Sequence, residues 1–251
     1  MSTMSQTMSL ENDLFAVGFD ICHSFHPSVY NEYIAKQNLP LNPLASEETS
    51  TGYLIGNTKH LWPIFMKWYN SSESKIDNPL DTYCKASIDA ILTDHFRSSF
   101  SIQVYWSSES CADKLVSMQR AAYCSGLSYL DSKSHLTIHP IYGTWHSFRA
   151  VVVVTNNDKT SIGTKNPNAS IPALTCLLTP QEEKEAQAAL CRALQLSDEN
   201  RLCEQLHGKG PSEEVATAWI AVRDCISRGK EYRFDDNQLW YHYTKDTMYL
   251  R

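Results

Sequence analysis

Residues 136–155 read LTIHPIYGTWHSFRAVVVVT, and this segment is the most informative about the fold class. Its first three residues suit a short strand, and Pro140 and Gly143 are typical of a turn. Residues 148–155 suit a longer strand, because four consecutive valines are typical of a strand that is buried on both faces. We therefore predict two strands joined by a turn, and we expect the two strands to pair.

Helices and strands are mixed along the rest of the chain. Period-two patterns predict further strands over residues 19–22, 51–56 and 101–106. Thr179 and Glu182 have the spacing of a capping box, and residues 198–211 are expected to end the helix that begins there. The pattern predicts an α+β fold, with neither a P-loop nor a Rossmann glycine motif. The predicted helices cover residues 9–16, 27–36, 59–69, 78–97, 112–125, 179–196, 212–226 and 235–244.

Composition and charge argue against several functional classes. The 22 basic and 28 acidic residues give a net charge of −6 without a basic run, so we expect no nucleic-acid partner. No apolar run approaches the roughly 18 to 20 residues of a membrane-spanning helix, so we expect no membrane span. Residues 1–10 lack the charge pattern of a secretion or mitochondrial signal, which makes the cytoplasm the expected compartment.

Motifs for hydrolytic or metal chemistry are missing from the sequence. The eight cysteines form no C-x-x-C pair, and His23 and His26 have no cysteine or carboxylate at zinc-ligand spacing. The sequence has no nucleophile elbow and no H-E-x-x-H motif either. We therefore expect no metal site, and the residues do not favour a hydrolase.

Arg149 is the most informative charged residue, because it precedes a valine run that we expect to be buried. A buried guanidinium is costly unless its N–H groups meet an anion. Arg149 therefore needs either an internal carboxylate or an anionic ligand, and the sequence leaves both possibilities open. In contrast, His139, Pro140, Gly143 and Trp145 can each be explained by a turn and by core packing.

Five fragments of the chain resemble a known family when they are taken together. In their order and spacing they resemble the cytosolic cobalamin-processing proteins typified by the methylmalonic aciduria and homocystinuria type C protein. The resemblance covers residues 14–154 and resumes weakly between Trp219 and Tyr241. The fragments are Gly18-Phe19-Asp20, Tyr30-Asn31-Glu32, Asn78-Pro79-Leu80-Asp81, Ala121-Ala122-Tyr123-Cys124-Ser125-Gly126 and Ile138-His139-Pro140-x-x-Gly143-x-Trp145-x-x-x-Arg149-x-Val151-Val152.

The resemblance implies a fold and an activity. The fold is a nitroreductase-like or flavin-reductase-like α+β fold with a mixed sheet flanked by helices. Residues 1–251 would form a single cobalamin-processing domain with a divergent helical insert at about 156–218. Such a protein binds cobalamin base-off, with the lower base displaced from cobalt, and removes the upper axial ligand. The implied reactions are glutathione-dependent dealkylation of alkylcobalamins and reductive decyanation of cyanocobalamin, with electrons from reduced FAD or FMN or from a flavoprotein.

The resemblance also implies site residues. Arg149 and Arg228 occupy the positions expected to bind glutathione and serve the reaction. Because the family binds cobalamin without a protein histidine on cobalt, His139 is expected to orient the turn. The expected corrin contacts are Ser107, Val116, Ser117, Met118, Gln119, Leu130, Asp131, Ser132, Thr137 and Phe148.

The implied partners are a cobalamin-trafficking adaptor protein and methionine synthase or its reductase. The expected assembly is a monomer or a ligand-dependent homodimer. Two other functions stay open, because a fold does not fix a function. One is a non-catalytic cobalamin chaperone or adaptor, and the other is a flavin-dependent nitroreductase-like oxidoreductase.

Overall fold

The chain divides into two compact units in the computed structural model. Unit 1 comprises Met1–Ser128 and Ser147–Leu174, and unit 2 comprises Tyr129–His146 and Thr175–Arg251. The prediction of one domain with an insert at about 156–218 stays a prediction, and residues 159–173 of that insert lie outside the described residues. The structure describes residues 3–72, 76–96, 98–109, 111, 114–158, 174–207 and 211–251.

A four-stranded sheet organises unit 1. Its strands are β1 (Ile21–Phe25), β2 (Ser50–Asn57), β3 (Phe100–Trp106) and β6 (Ser147–Asn156), and they lie in the order β1-β2-β6-β3. Strand β6 pairs with β2 on one side and with β3 on the other. All four valines, residues 151–154, are buried, and successive side chains of a strand point to opposite faces. Both faces of β6 are therefore covered, as the valine run predicted.

Two expectations about the strands are wrong. Strand β5 (Thr137–Ile138) does not pair with β6 but with β4 (Tyr129–Leu130), in a two-stranded hairpin of unit 2. The physical reason is that β2 and β3 already occupy both edges of β6. Every strand pair within the described ranges is antiparallel, so the sheet is not mixed. Neighbouring strands are antiparallel when the connection between them begins and ends at the same end of the sheet, and such a connection can contain a helix.

Helices pack against the sheet of unit 1, and one of them is shorter than predicted. Helix α5 begins at Met118 because Ser117 has an extended backbone, and its Oγ caps the helix by accepting the N–H of Arg120 at 3.3 Å. The expected start at residue 112 lies outside the described residues. Helix α4 begins at Pro79, as predicted, where no helical N–H bond is lost. The five helices are α1 (Thr3–Ala16), α2 (Ser28–Lys36), α3 (Leu61–Ser71), α4 (Pro79–His95) and α5 (Met118–Cys124).

Unit 2 combines the β4–β5 hairpin with α6 (Pro180–His207), α7 (Glu213–Asp224) and α8 (Asp236–Thr244). The capping box is confirmed, because Thr179 Oγ1 accepts the N–H of Glu182 at 3.2 Å and the Glu182 carboxylate accepts the N–H of Thr179 at 2.8 Å. Helix α6 runs past residue 198, contrary to expectation, because residues 198–207 contain no glycine or proline. Across the described ranges, no helix is both long and apolar enough to cross a membrane.

Candidate functional site

Arg149 occupies a β-bulge in β6. Ile55 of β2 pairs with Ala150, whereas the next residue, Gly56, pairs with Phe148. Arg149 is therefore one extra residue on β6 that has no partner in β2, although its carbonyl oxygen accepts the N–H of Ser107 at 2.8 Å. A bulge bends its strand and redirects a side chain, and bulges are frequent beside functional sites.

The guanidinium of Arg149 is buried, and the residue is only 8% exposed. Its Nε donates to Oδ1 of Asn57 at 2.7 Å, while its Nη2 has no hydrogen-bond partner among the residues that the structure describes. No acidic side chain in the described part of the chain forms an ion pair with it. A buried charge in this state is costly. Of the two possibilities that the sequence left open, this geometry favours the anionic ligand.

The predicted corrin-contacting residues of unit 1 differ in exposure. Val116 and Met118 are buried in an apolar cluster with Tyr30. Because their side chains are buried, these two residues could contact a ligand only through backbone groups. The half-buried Phe148 packs against the same cluster. Ser117 is half-buried at the start of α5, and Ser107 and Gln119 are exposed.

The predicted residues of unit 2 lie on the β4–β5 hairpin. Asp131 has no exposed surface, and its Oδ2 accepts the backbone N–H and the hydroxyl of Ser134, both at 2.6 Å. Asp131 thus fixes the hairpin loop. Thr137 is buried on β5, Leu130 is half-buried on β4, and Ser132 is exposed in the loop.

His139 holds the turn, as predicted. Its Nδ1 accepts the backbone N–H of Ile141 at 3.1 Å and of Tyr142 at 3.2 Å. The backbones of His139 and Gly143 also exchange two hydrogen bonds, at 2.8 and 3.0 Å. The exposed Arg228 donates from Nη1 to the carbonyl oxygen of Pro140 at 3.0 Å, so it lies beside this turn. The structure therefore brings Arg228 together with the His-Pro segment of unit 2.

Trp145 is the centre of a cluster in unit 2 that the sequence did not reveal. It is fully buried, with Cζ of Arg223 at 4.6 Å and Cζ of Arg233 at 5.3 Å from its ring centre. Arg223 Nε donates to the carbonyl oxygen of Thr144 at 3.0 Å, and Arg233 forms a bidentate ion pair with Asp224 at 2.9 and 3.1 Å. Trp145 is therefore a core residue whose ring attracts two arginine side chains.

His146, the residue after Trp145, has a lowered pKa because it is buried. Burial lowers the pKa of His146 to about 3, and the positive charge of Arg223 and the neighbouring His139 add to the effect. His146 is therefore neutral at neutral pH. It follows Trp145 directly and precedes β6.

A group of metal ligands and a cavity are two other features that could mark a site. Within the described ranges, no group of three or more His, Cys, Asp and Glu side chains could hold a metal ion. A cavity of about 470 Å³ lies in unit 2, and none of the predicted site residues lines it. Its walls are Thr217, Ile220, Ala221, Asp224, Cys225, Arg233, Asp236, Leu239 and Trp240.

Comparison by sequence finds no match, whereas comparison by fold finds solved structures that share the architecture. No protein-family model matches the chain, and no curated protein matches it in sequence. Among solved structures, the C. elegans B12-trafficking protein CblC, a human MMACHC homologue, has a TM-score of 0.61 at 18% identity. The match covers 99% of this chain and 96% of that one.

Two structures of epoxyqueuosine reductase share the fold less closely. The enzyme from Bacillus subtilis has a TM-score of 0.51 at 10% identity, over 97% of this chain and 76% of that one. A selenomethionine-labelled epoxyqueuosine reductase has a TM-score of 0.52 at 10% identity, over 93% and 68%. These matches confirm the nitroreductase-like α+β fold class. The C. elegans B12-trafficking protein is a homologue of human MMACHC, and it therefore represents the family that the sequence fragments resemble.

Proposed function

We propose that this chain is a cobalamin-processing enzyme that binds its substrate base-off and removes the upper axial ligand. The fold shared with a B12-trafficking protein along nearly the whole chain supports this proposal. The observation that carries it is the buried guanidinium of Arg149, which has an unpartnered Nη2 and no acidic partner among the described residues. Such a group is suited to an anionic co-substrate.

For alkylcobalamins, the proposed co-substrate is glutathione. Arg149 would bind one of its carboxylates, which would also position the thiol. The nucleophile is the thiolate, and a nearby guanidinium favours the thiolate over the thiol. Attack on the cobalt-bound carbon forms an S–C bond and breaks the Co–C bond. The bonding electron pair stays on cobalt, which changes from Co(III) to Co(I).

For cyanocobalamin, the proposed reaction is a reductive decyanation. Reduced FAD or FMN, or a flavoprotein partner, would supply the electron that converts Co(III) to Co(II), and cyanide leaves with its electron pair. The redox chemistry belongs to the corrin, and the protein contributes binding and orientation. Displacement of the lower base removes an electron donor from cobalt and makes the reduction easier.

The proposed corrin contacts are those that the resemblance implies. Arg228, on the surface beside Pro140, is the second proposed catalytic residue. Exposed side chains could donate directly to the corrin amides, whereas buried residues such as Val116 and Asp131 would contribute backbone groups. The full set is Ser107, Val116, Ser117, Met118, Gln119, Leu130, Asp131, Ser132, Thr137 and Phe148.

The proposed setting is intracellular cobalamin trafficking in the cytoplasm. A cobalamin-trafficking adaptor protein and methionine synthase or its reductase are the proposed partners. The proposed assembly is a monomer or a homodimer that forms when the ligand binds.

A titration with methylcobalamin tests the proposal. We expect purified protein to convert the red base-on spectrum to the yellow base-off spectrum. Anaerobic addition of glutathione should then produce the cob(I)alamin spectrum. Arg149→Gln should slow this second step at least about a hundredfold, because the co-substrate loses its charge-assisted hydrogen bonds.

The matched control is Arg192→Gln, because the side chain of Arg192 is 71% exposed and should not affect either step. No spectral shift with methylcobalamin would contradict the proposal. A base-off shift that glutathione leaves unchanged would instead indicate a cobalamin chaperone without catalysis.

A flavin-dependent oxidoreductase is the second candidate, and the epoxyqueuosine reductases that share the fold support only the reductase part of it. It would bind FAD or FMN tightly and would give no base-off spectrum. Absorbance of the purified protein at flavin wavelengths, measured before and after addition of FMN, separates it from the first candidate.

A further inference from the structure

Asn57 is the residue that holds Arg149, and it lies at the end of β2 beside the bulge. It has no exposed surface. Its Oδ1 accepts the Nε–H of Arg149 at 2.7 Å, and its Nδ2 donates to the carbonyl oxygen of Thr58 at 2.8 Å. Arginine only donates and a carbonyl oxygen only accepts, so these two bonds fix which end of the amide faces Arg149.

The orientation of Thr58 is itself fixed by a carboxylate. Asp20 accepts the backbone N–H of Thr58 at 2.7 Å through Oδ1, and it accepts the Thr58 hydroxyl through Oδ2. Asp20 therefore stabilises the segment that holds Asn57, and both of its carboxylate oxygens accept hydrogen bonds from Thr58. Contacts therefore run from Asp20 through Thr58 and Asn57 to Arg149. The group that touches the guanidinium is the neutral amide of Asn57 and not a carboxylate.

This chemistry has an electrostatic consequence. An aspartate at position 57 could accept the same Nε–H group, but it would also neutralise the guanidinium. An asparagine gives the direction of the hydrogen bond and leaves the positive charge uncompensated. The remaining charge and the unpartnered Nη2 of Arg149 are then available to a ligand.

We infer that Asn57 is a positioning residue that aims Arg149 without neutralising it, so that the β6 bulge binds one carboxylate group of a ligand. The inference rests on the proposed function only in identifying that carboxylate as one of glutathione. It predicts specificity for an anionic thiol over a neutral one. It also predicts that the charge of residue 57, rather than its size, decides whether the bulge binds an anion.

The first experiment uses acetate as the probe and needs neither cobalamin nor glutathione. The thermal midpoint is measured against acetate at constant ionic strength, with chloride as the balancing anion. We expect acetate to raise the midpoint of the wild-type protein and to leave that of Asn57→Asp unchanged. Asn57→Ser adds no charge and keeps a hydroxyl acceptor, so it should keep a rise. Arg149→Gln should lose it.

Two results would overturn the inference. One is a wild-type protein whose midpoint does not depend on acetate. The other is an Asn57→Asp protein that responds to acetate as the wild type does, because Asn57 would then have only a structural role. If Asn57→Asp does not fold, an Asn57→Ser protein that lacks the acetate effect, or an Arg149→Gln protein that keeps it, would overturn the inference instead.

The second experiment compares glutathione with its diethyl ester by calorimetry. We expect the wild type to prefer glutathione, and Asn57→Asp to bind glutathione about tenfold more weakly or worse while its affinity for the ester changes little. An equal loss of affinity for both ligands would contradict a charge-based role for Asn57. An acetate effect without glutathione binding would sustain the role of Asn57 and contradict the proposed co-substrate.

Discussion

Arg149 places a positive charge inside unit 1, where a single charge is expensive. Burial without a counterion costs several kcal/mol, and the hydrogen bond from Nε to a neutral oxygen at 2.7 Å offsets only part of that cost. A chain selected for stability alone would place an apolar residue here. Departures of this kind from packing rules are typical of functional positions.

Replacing this charge should therefore increase stability and abolish function. We expect Arg149→Met to raise the free energy of unfolding without ligand by about 1–3 kcal/mol, because the buried charge disappears while the volume is kept. Glutathione-dependent dealkylation should be lost in the same variant. Urea denaturation gives the first quantity and the cobalamin spectrum the second. Arg192→Met, at an exposed arginine, should change neither, and a marked loss of stability in Arg149→Met would argue against an uncompensated charge.

His146 makes the stability of the protein dependent on pH. Its pKa is about 3 in the folded chain, against about 6.5 in an unfolded one. As the pH falls below 6.5, the unfolded state takes up a proton that the folded state does not bind. The stability contributed by neutral His146 is therefore complete above that pH and is lost as the pH falls toward 3.

Between pH 7 and pH 5, we expect this residue to lower the free energy of unfolding by about 2 kcal/mol. His146→Gln should remove that part of the pH dependence, because glutamine does not titrate. Urea denaturation of both proteins at three pH values in this range measures the difference. Identical pH profiles for the two proteins would contradict the lowered pKa, because they would mean that His146 takes up a proton in the folded state as readily as in the unfolded state.

Two chain segments of unit 2 cross at a pair of glycines. Gly143 ends the His139 turn with φ +55°, and Gly229 has φ +73°. A Cβ on Gly143 would lie 1.8 Å from the carbonyl oxygen of Arg228, and one on Gly229 would lie 2.3 Å from the carbonyl carbon of Tyr142. Neither segment could approach the other so closely with a side chain at this point.

We expect Gly143→Ala to cost about 3 kcal/mol or more, because the clash adds to the strain of a positive φ. Gly126→Ala, at another glycine with positive φ (+79°), gives the cost of an alanine in that backbone conformation, about 1 kcal/mol. Thermal unfolding measures both variants, and near-ultraviolet dichroism reports on the packing of Trp145. Equal costs at the two positions would mean that the crossing can open without difficulty.

Across the chain, the sequence predicted the features that depend on neighbouring residues. The caps at Thr179 and Ser212, the start at Pro79 and the valine run of β6 were predictable, because each is a local preference. The fold class followed from these elements and from the resemblance.

Long-range partners were not predictable. Asn57 and Arg149 are 92 positions apart, and Arg223 is 79 positions from Thr144. The partner of β5 depended on which edges of β6 were already occupied, and no local pattern carries that information. The candidate site was therefore predicted at Arg149 itself, whereas the residue that holds Arg149 was missed.

The bulge in β6 also changes the pairing register with β2. Ser147 and Phe148 pair with the last two residues of β2. The valine run pairs with the preceding residues of β2 in a register that is offset by one residue. Removing the extra residue would shift Ser147 and Phe148 by one position against β2, so Arg149 marks the position where the alternation of side chains changes phase.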